Sequence, residues 1–159
     1  GFTKMRFGED IAFSTRIFKA GLRCRLFPEA WVWHKRRTDL WKFFKQVHNS
    51  GIARINLTIL HPGTLKVVHT LPAVATVMAV LMLVGCFVCP YISTLFLLWA
   101  LLIFVDATMQ NKSVTVGTIA VAASAVQITG YGTGFIRAAV KRYVFGGKEF
   151  EAFKNNFYK

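Results

Sequence analysis

Glu9 and Asp10 are the first residues in the chain whose type and placement could do chemistry. They precede a stretch, Ile11-Ala-Phe-Ser-Thr-Arg-Ile-Phe-Lys-Ala-Gly21, whose apolar positions recur at roughly helical spacing. A carboxylate at a helix N-terminus is kept ionised by the helix dipole, which suits a general base. The plain alternative is a pair of acids that only caps the helix. Further along, Lys35-Arg36-Arg37 with Lys42 and Lys45 forms a basic cluster. It reads as a solvated face, as a contact for a diphosphate or lipid phosphate, or as an attraction to an anionic leaflet. Arg37 is the best placed of these for a substrate phosphate. His34 lies near the cluster, but His48, His61 and His69 do not complete a zinc spacing with it. Those three read as interfacial or structural.

The elements that must position these groups divide by charge. The chain has 159 residues, 54% of them hydrophobic, and a formal net charge of +13. Residues 1–72 carry 13 basic and 4 acidic residues, 73–136 only Lys112 and Asp106, and 137–159 6 basic and 2 acidic residues. The composition excludes intrinsic disorder. It also argues against one soluble domain, because the middle is too apolar for so small a core. Cys24, Cys86 and Cys89 are too few and too oddly placed for a disulfide scaffold. No recognised nucleic-acid motif accompanies the basic residues.

Thr70 to Val105 contains no charged residue over 36 positions, too many for one span of about 20. Cys89-Pro90-Tyr91 breaks it, which predicts a helical hairpin over 71–89 and 91–108. A third apolar stretch, 114–136, is rich in small residues, with Gly130, Gly132 and Gly134 close together. Such residues permit close helix contact in a membrane, or break the helix. The basic N-terminal part should lie on the cytoplasmic side, yet three spans would put the basic tail outside. The third segment either re-enters or the tail is an exception.

Residues 1–38 read as an α/β unit. Gly21 is a good helix stop, Leu22 to Phe27 alternates like a short strand ended by Pro28, and Trp31-Val32-Trp33-His34 is a second strand-like run. Residues 39–70 read as a juxtamembrane segment. In it Leu40, Phe43, Phe44 and Val47 fall at i, i+3, i+4 and i+7, and the helix they make should lie in the headgroup region. Spans follow over 71–136 and a basic tail over 137–159. The chain begins at Gly1 with no signal peptide before its motifs, and is expected to be the C-terminal piece of a longer polypeptide.

Gly8-Glu9-Asp10, Arg16, Lys19-Ala20-Gly21, Val32-Trp33-His34 and Arg37 together resemble the C-terminal end of a family 2 glycosyltransferase catalytic domain. Phe43-Phe44-Lys45-Gln46, Gly51 and Arg54 are similar to the segment that carries membrane-attached members to the bilayer. The resemblance covers residues 1 to about 70. It implies a Rossmann-like α/β fold, then transmembrane helices, at the cytoplasmic face of a bacterial inner membrane. It implies a nucleotide-sugar donor, a lipid-linked or polysaccharide acceptor, and Asp10 as base with Glu9 beside it. His34 would be a metal or diphosphate contact, or else a hydrogen-bonded residue at a strand end. A divalent metal, Mg or Mn, is expected mainly through an upstream Asp-x-Asp, and these residues contain none. The Gln-x-x-Arg-Trp signature of polymer-extruding members is also missing, since Gln46 is followed by Val-His-Asn-Ser-Gly. Gln46 and Arg54 remain candidates for the acceptor entrance, against plain helix packing. Alone, the chain should be inactive. The rival reading is a non-enzymatic basic module that anchors to the membrane and recruits a partner. A transporter fragment is a weaker third, because no charge sits well inside a span.

Overall fold

Glycine, proline and short polar side chains set where the helices start and stop. A computed structural model of the chain describes residues 7–33 and 39–148. Helix α1 (Glu9–Lys19) starts after Gly8 at φ +79° and stops at Gly21, φ +74°. A β-carbon disfavours that left-handed backbone, so glycine fits both places. Helix α2 (Leu40–Leu60) begins where the Asp39 carboxylate accepts the Lys42 backbone N–H at 2.9 Å. A 3₁₀ turn at Val67–His69 leads into α3 (Leu71–Gly85), which has Pro72 in its first turn. Proline tolerates that position because its missing N–H has no partner there anyway. A second 3₁₀ turn, Pro90–Ile92, opens α4 (Ser93–Asn111). Ser113 caps α5 (Val114–Ala139), which runs on through a π-helical turn to Val144.

The expected α/β unit is not formed. No strand occurs among the described residues. Both strand-like runs, Leu22 to Phe27 and Trp31 to Trp33, are irregular and exposed, with Leu26 at 86% and Trp33 at 92%. Alternation qualifies a segment for a sheet, but a strand needs a neighbour for its backbone groups. Among the described residues, these runs have none. The chain here is therefore α-helical, and the Rossmann-like assignment is withdrawn.

Pro90–Asn111 (22 residues) and Val114–Val144 (31 residues) are long and apolar enough to cross a membrane. Helix α3 stops at 15 residues. At 1.5 Å per residue it reaches about 22 Å, short of a hydrocarbon core of about 30 Å. The expected hairpin partners, α3 and α4, each pack on α5 rather than on one another. The glycines of α5 do not break it. A continuous helix passes through Gly130, Gly132 and Gly134, all three buried beneath neighbouring helices.

The core lies where α2, α3 and the C-terminal half of α5 meet. Ile52, Ala53, Ile55, Ala73, Phe135 and Ala138 are buried together, with Phe7 and Tyr131 against them. The α2–α5 approach is close enough to exclude any side chain at its crossing. A Cβ on Gly51 would meet the Tyr131 carbonyl and lie 2.7 Å from the Phe135 nitrogen. One on Gly134 would meet the His48 carbonyl, and one on Gly130 the Val47 side chain. On the other flank, the Thr76 hydroxyl of α3 is shared between the Pro72 carbonyl of its own helix at 2.7 Å and the Ile128 carbonyl of α5 at 3.1 Å.

Candidate functional site

The acidic pair occupies the first turn of α1, with Asp10 exposed and Glu9 half-buried. Neither carboxylate is used as a cap, because the N-cap position is Gly8 and no side chain bonds there. Gly8 is seated on α2: a Cβ on it would lie 2.8 Å from Leu57 Cδ1. Phe7 packs against the α2–α5 core, and Ala12 is fully buried. The head of α1 is thus fixed to α2, with Asp10 left open to solvent.

Arg54 is half-buried on α2, three residues before Leu57. Three residues along an α-helix is about 4.5 Å of rise and about 60° of rotation. Arg54 therefore sits on the face next to the one that carries Gly8. Its guanidinium lies beside the Tyr131 hydroxyl of α5 and near the His69 ring. His69 Nδ1 accepts the Lys66 backbone N–H at 3.0 Å. In the neutral ring this leaves the proton on Nε2, so that nitrogen is a donor in either charge state. Burial holds the His69 pKa below the usual imidazole value, and the charges of Arg54 and Lys66 push the same way. Among the described residues, no carboxylate forms an ion pair with Arg54 or Lys66.

Gln46 is elsewhere. It is exposed on α2, eight residues and about 12 Å of helix from Arg54. His34 and Arg37 lie outside the described residues. His48, read as structural, makes a helix-to-helix contact: its Nδ1 is 3.2 Å from Thr133 Oγ1. The Thr133 hydroxyl already donates to the Thr129 carbonyl at 2.7 Å, which assigns the proton of that contact to His48 Nδ1. Burial lowers the His48 pKa, Arg137 lowers it further, and the Gly130 carbonyl opposes them.

Tyr131 and Lys66 escaped notice in the sequence. Tyr131 stands among glycines that signalled close helix contact, and it is the polar aromatic in that stretch. Lys66 has no local pattern at all, because its place depends on the turn between α2 and α3.

No three His, Cys, Asp or Glu side chains converge among the described residues. His34, the expected metal contact, lies outside the described residues. What the described residues offer is an exposed Asp10 at the head of α1 and a basic cluster around Arg54 of α2 with no carboxylate paired to it. No protein-family model, curated protein or solved structure matches the chain.

Proposed function

We propose that these residues are the acceptor-side, membrane-holding part of a family 2 glycosyltransferase. The enzyme would move a sugar from a nucleotide-sugar donor to a lipid-linked or membrane-proximal acceptor, with inversion. The observation that carries this reading is the Gly8-Glu9-Asp10 turn seated on Leu57. It brings the start of α1, with Asp10 exposed and Glu9 half-buried, against the helix that packs on α5. The reading needs no sheet within this chain, because the carboxylates are borne by a helix.

Asp10 takes the proton of the acceptor hydroxyl while that oxygen attacks the anomeric carbon. The bond to the nucleotide diphosphate breaks on the opposite side, which inverts the centre. Where the acceptor is a phosphate, its oxygen is already ionised, and Asp10 orients it instead. Glu9 keeps the local charge negative. The resemblance assigns His34 and Arg37 to the leaving diphosphate, and assigns donor and metal binding to an Asp-x-Asp part outside these residues. The excess of Lys and Arg in residues 1–72 favours a multi-pass protein of the cytoplasmic membrane with the site on the cytoplasmic face.

The test is direct. Membranes containing the full-length protein are incubated with labelled nucleotide sugars. Label should move into a lipid-extractable or polymeric product of inverted anomeric configuration. No transfer from any nucleotide sugar, with the protein correctly inserted, favours the non-enzymatic module.

A further inference from the structure

We infer that Arg54, Lys66 and His69, backed by Tyr131, form a binding site for the phosphate or diphosphate group of a lipid at the membrane surface. The inference rests on the reading above, in which that lipid is the acceptor. It names the acceptor group recognised and the residues that recognise it.

Three elements build the site. Arg54 comes from the middle of α2, Lys66 and His69 from the turn before α3, and Tyr131 from α5. The Gly51 approach sets α2 against the Tyr131 backbone. Arg54 follows Gly51 by one turn, which brings its guanidinium to the Tyr131 hydroxyl. Half-burial limits the swing of the guanidinium and strips part of its water, so it is ready to fork onto phosphate oxygens. Lys66, exposed in the turn before α3, brings a second positive charge. His69 Nε2 brings a third donor, its ring oriented by the Lys66 N–H bond at 3.0 Å. The charges of Arg54 and Lys66 both act on the His69 ring, and among the described residues no carboxylate is paired to either of them, an arrangement that an anion completes.

The depth of the site selects a lipid. Leu65, Val67, Val68 and Leu71 flank the two turn residues and are all exposed, Val67 at 78%. Exposed apolar side chains alternating with basic ones at the start of an apolar helix suit the headgroup boundary. There the cluster meets phosphates whose tails lie in the bilayer. The acidic pair of α1 is anchored one turn further along α2, so a phosphate held at Arg54 lies on the side of α2 nearest to it.

The full chain in phosphatidylcholine nanodiscs provides the test, with undecaprenyl phosphate as the probe and no donor present. Arg54→Gln should weaken binding about tenfold or more, since it removes a charge-assisted fork. Lys66→Gln and His69→Gln should each weaken it severalfold, and Lys112→Gln, at the exposed turn between α4 and α5, should leave it unchanged. Arg54→Lys keeps the charge and the packed stem, and should lose less than Arg54→Gln. This guards against a trivial loss of fold. Competition by inorganic phosphate, dependent on Arg54, supports a site that reads the phosphate group itself. Arg54-dependent binding without such competition supports one that also requires the lipid tail. Equal binding of phosphatidylserine, or unchanged binding in Arg54→Gln and Lys66→Gln, overturns the inference. Sugar transfer with Arg54-independent lipid binding would sink this site alone. Arg54-dependent binding without transfer from any donor would sink the enzyme reading and leave the site standing.

Discussion

Helices α2 and α4 are nearly the same length, 21 and 19 residues, and they meet opposite surroundings. Helix α2 buries Val47, Gly51, Ile52, Ala53, Ile55, Asn56 and Leu57, whereas α4 buries nothing. Yet α4 is the more apolar, with Leu, Ile, Phe and Val on every side. In this molecule the more apolar of the two helices, long enough to cross a membrane, is the one with no buried residue. The protein core forms where small residues let backbones meet. In lipid, tails are as apolar as leucine, so packing and hydrogen bonds hold helices together.

The contrast can be broken most severely at the α2–α5 crossing. Gly134→Leu forces a side chain into the His48 backbone. It should cost about 3 kcal/mol, the upper end of ordinary overpacking, or release α2 altogether. Denaturant titration in mixed micelles, with proteolysis of α2 as a second probe, reads this. Leu97→Ala on α4, 69% exposed, should change stability by about 0.5 kcal/mol or less. Equal effects at the two sites would erase the distinction between seam and exposed face.

A smaller effect belongs to the α3–α5 contact. Thr76→Val keeps the shape and removes the hydroxyl shared between the Pro72 and Ile128 carbonyls, and should cost about 0.6 kcal/mol in a bilayer-like setting. A double-mutant cycle with Gly132→Ala should show coupling, because a Cβ there meets the Thr76 hydroxyl.

Asp39 sharpens the comparison at the start of α2. Its carboxyl is held below its ordinary value, chiefly by the Lys42 backbone N–H. The stabilisation is thus present above the ordinary carboxylate range and lost as pH falls through the lowered value. Asp39→Ala should unwind the first turn of α2, and should remove the acid-dependent part of the helical signal at 222 nm. A variant with unchanged acid dependence would show that the cap contributes nothing.

The smallest effect is at His48. Burial and Arg137 depress its pKa, so the fold prefers the neutral ring. That contribution is complete above pH about 6.5 and is lost as pH falls through the lowered value. His48→Gln should flatten this part of the stability profile and leave neutral-pH stability almost unchanged. An identical slope in the variant would remove His48 as the source.

Much of the helical layout was legible because local rules govern it. Gly21 and Cys89-Pro90 punctuate the chain where the sequence suggested breaks, and α2 opens at the expected boundary between residues 38 and 39. The uncharged run from Thr70 forms α3 and α4, and α4 is long and apolar enough to cross a membrane. The strand assignments failed for the opposite reason. Leu22 to Phe27 has the alternation of a strand, but a ladder needs a second strand, and the described residues supply none. The length of α3 was overestimated, since apolarity continues to Val88 but the helix stops at Gly85. At the site, the acidic pair and Arg54 stood out by type. The Arg54–His69–Lys66–Tyr131 grouping did not, because it joins residues up to 77 positions apart through one tertiary crossing.

The central claim is that the open carboxylate at the head of α1 takes part in sugar transfer at the membrane. The decisive measurement is the initial rate of label transfer from nucleotide sugar to lipid acceptor by the full-length protein and by Asp10→Asn, matched for membrane insertion and donor binding. A rate lower by about 10²–10⁴-fold, with both controls unchanged, is the predicted result. An Asp10→Asn protein that transfers sugar at the parent rate would contradict the account.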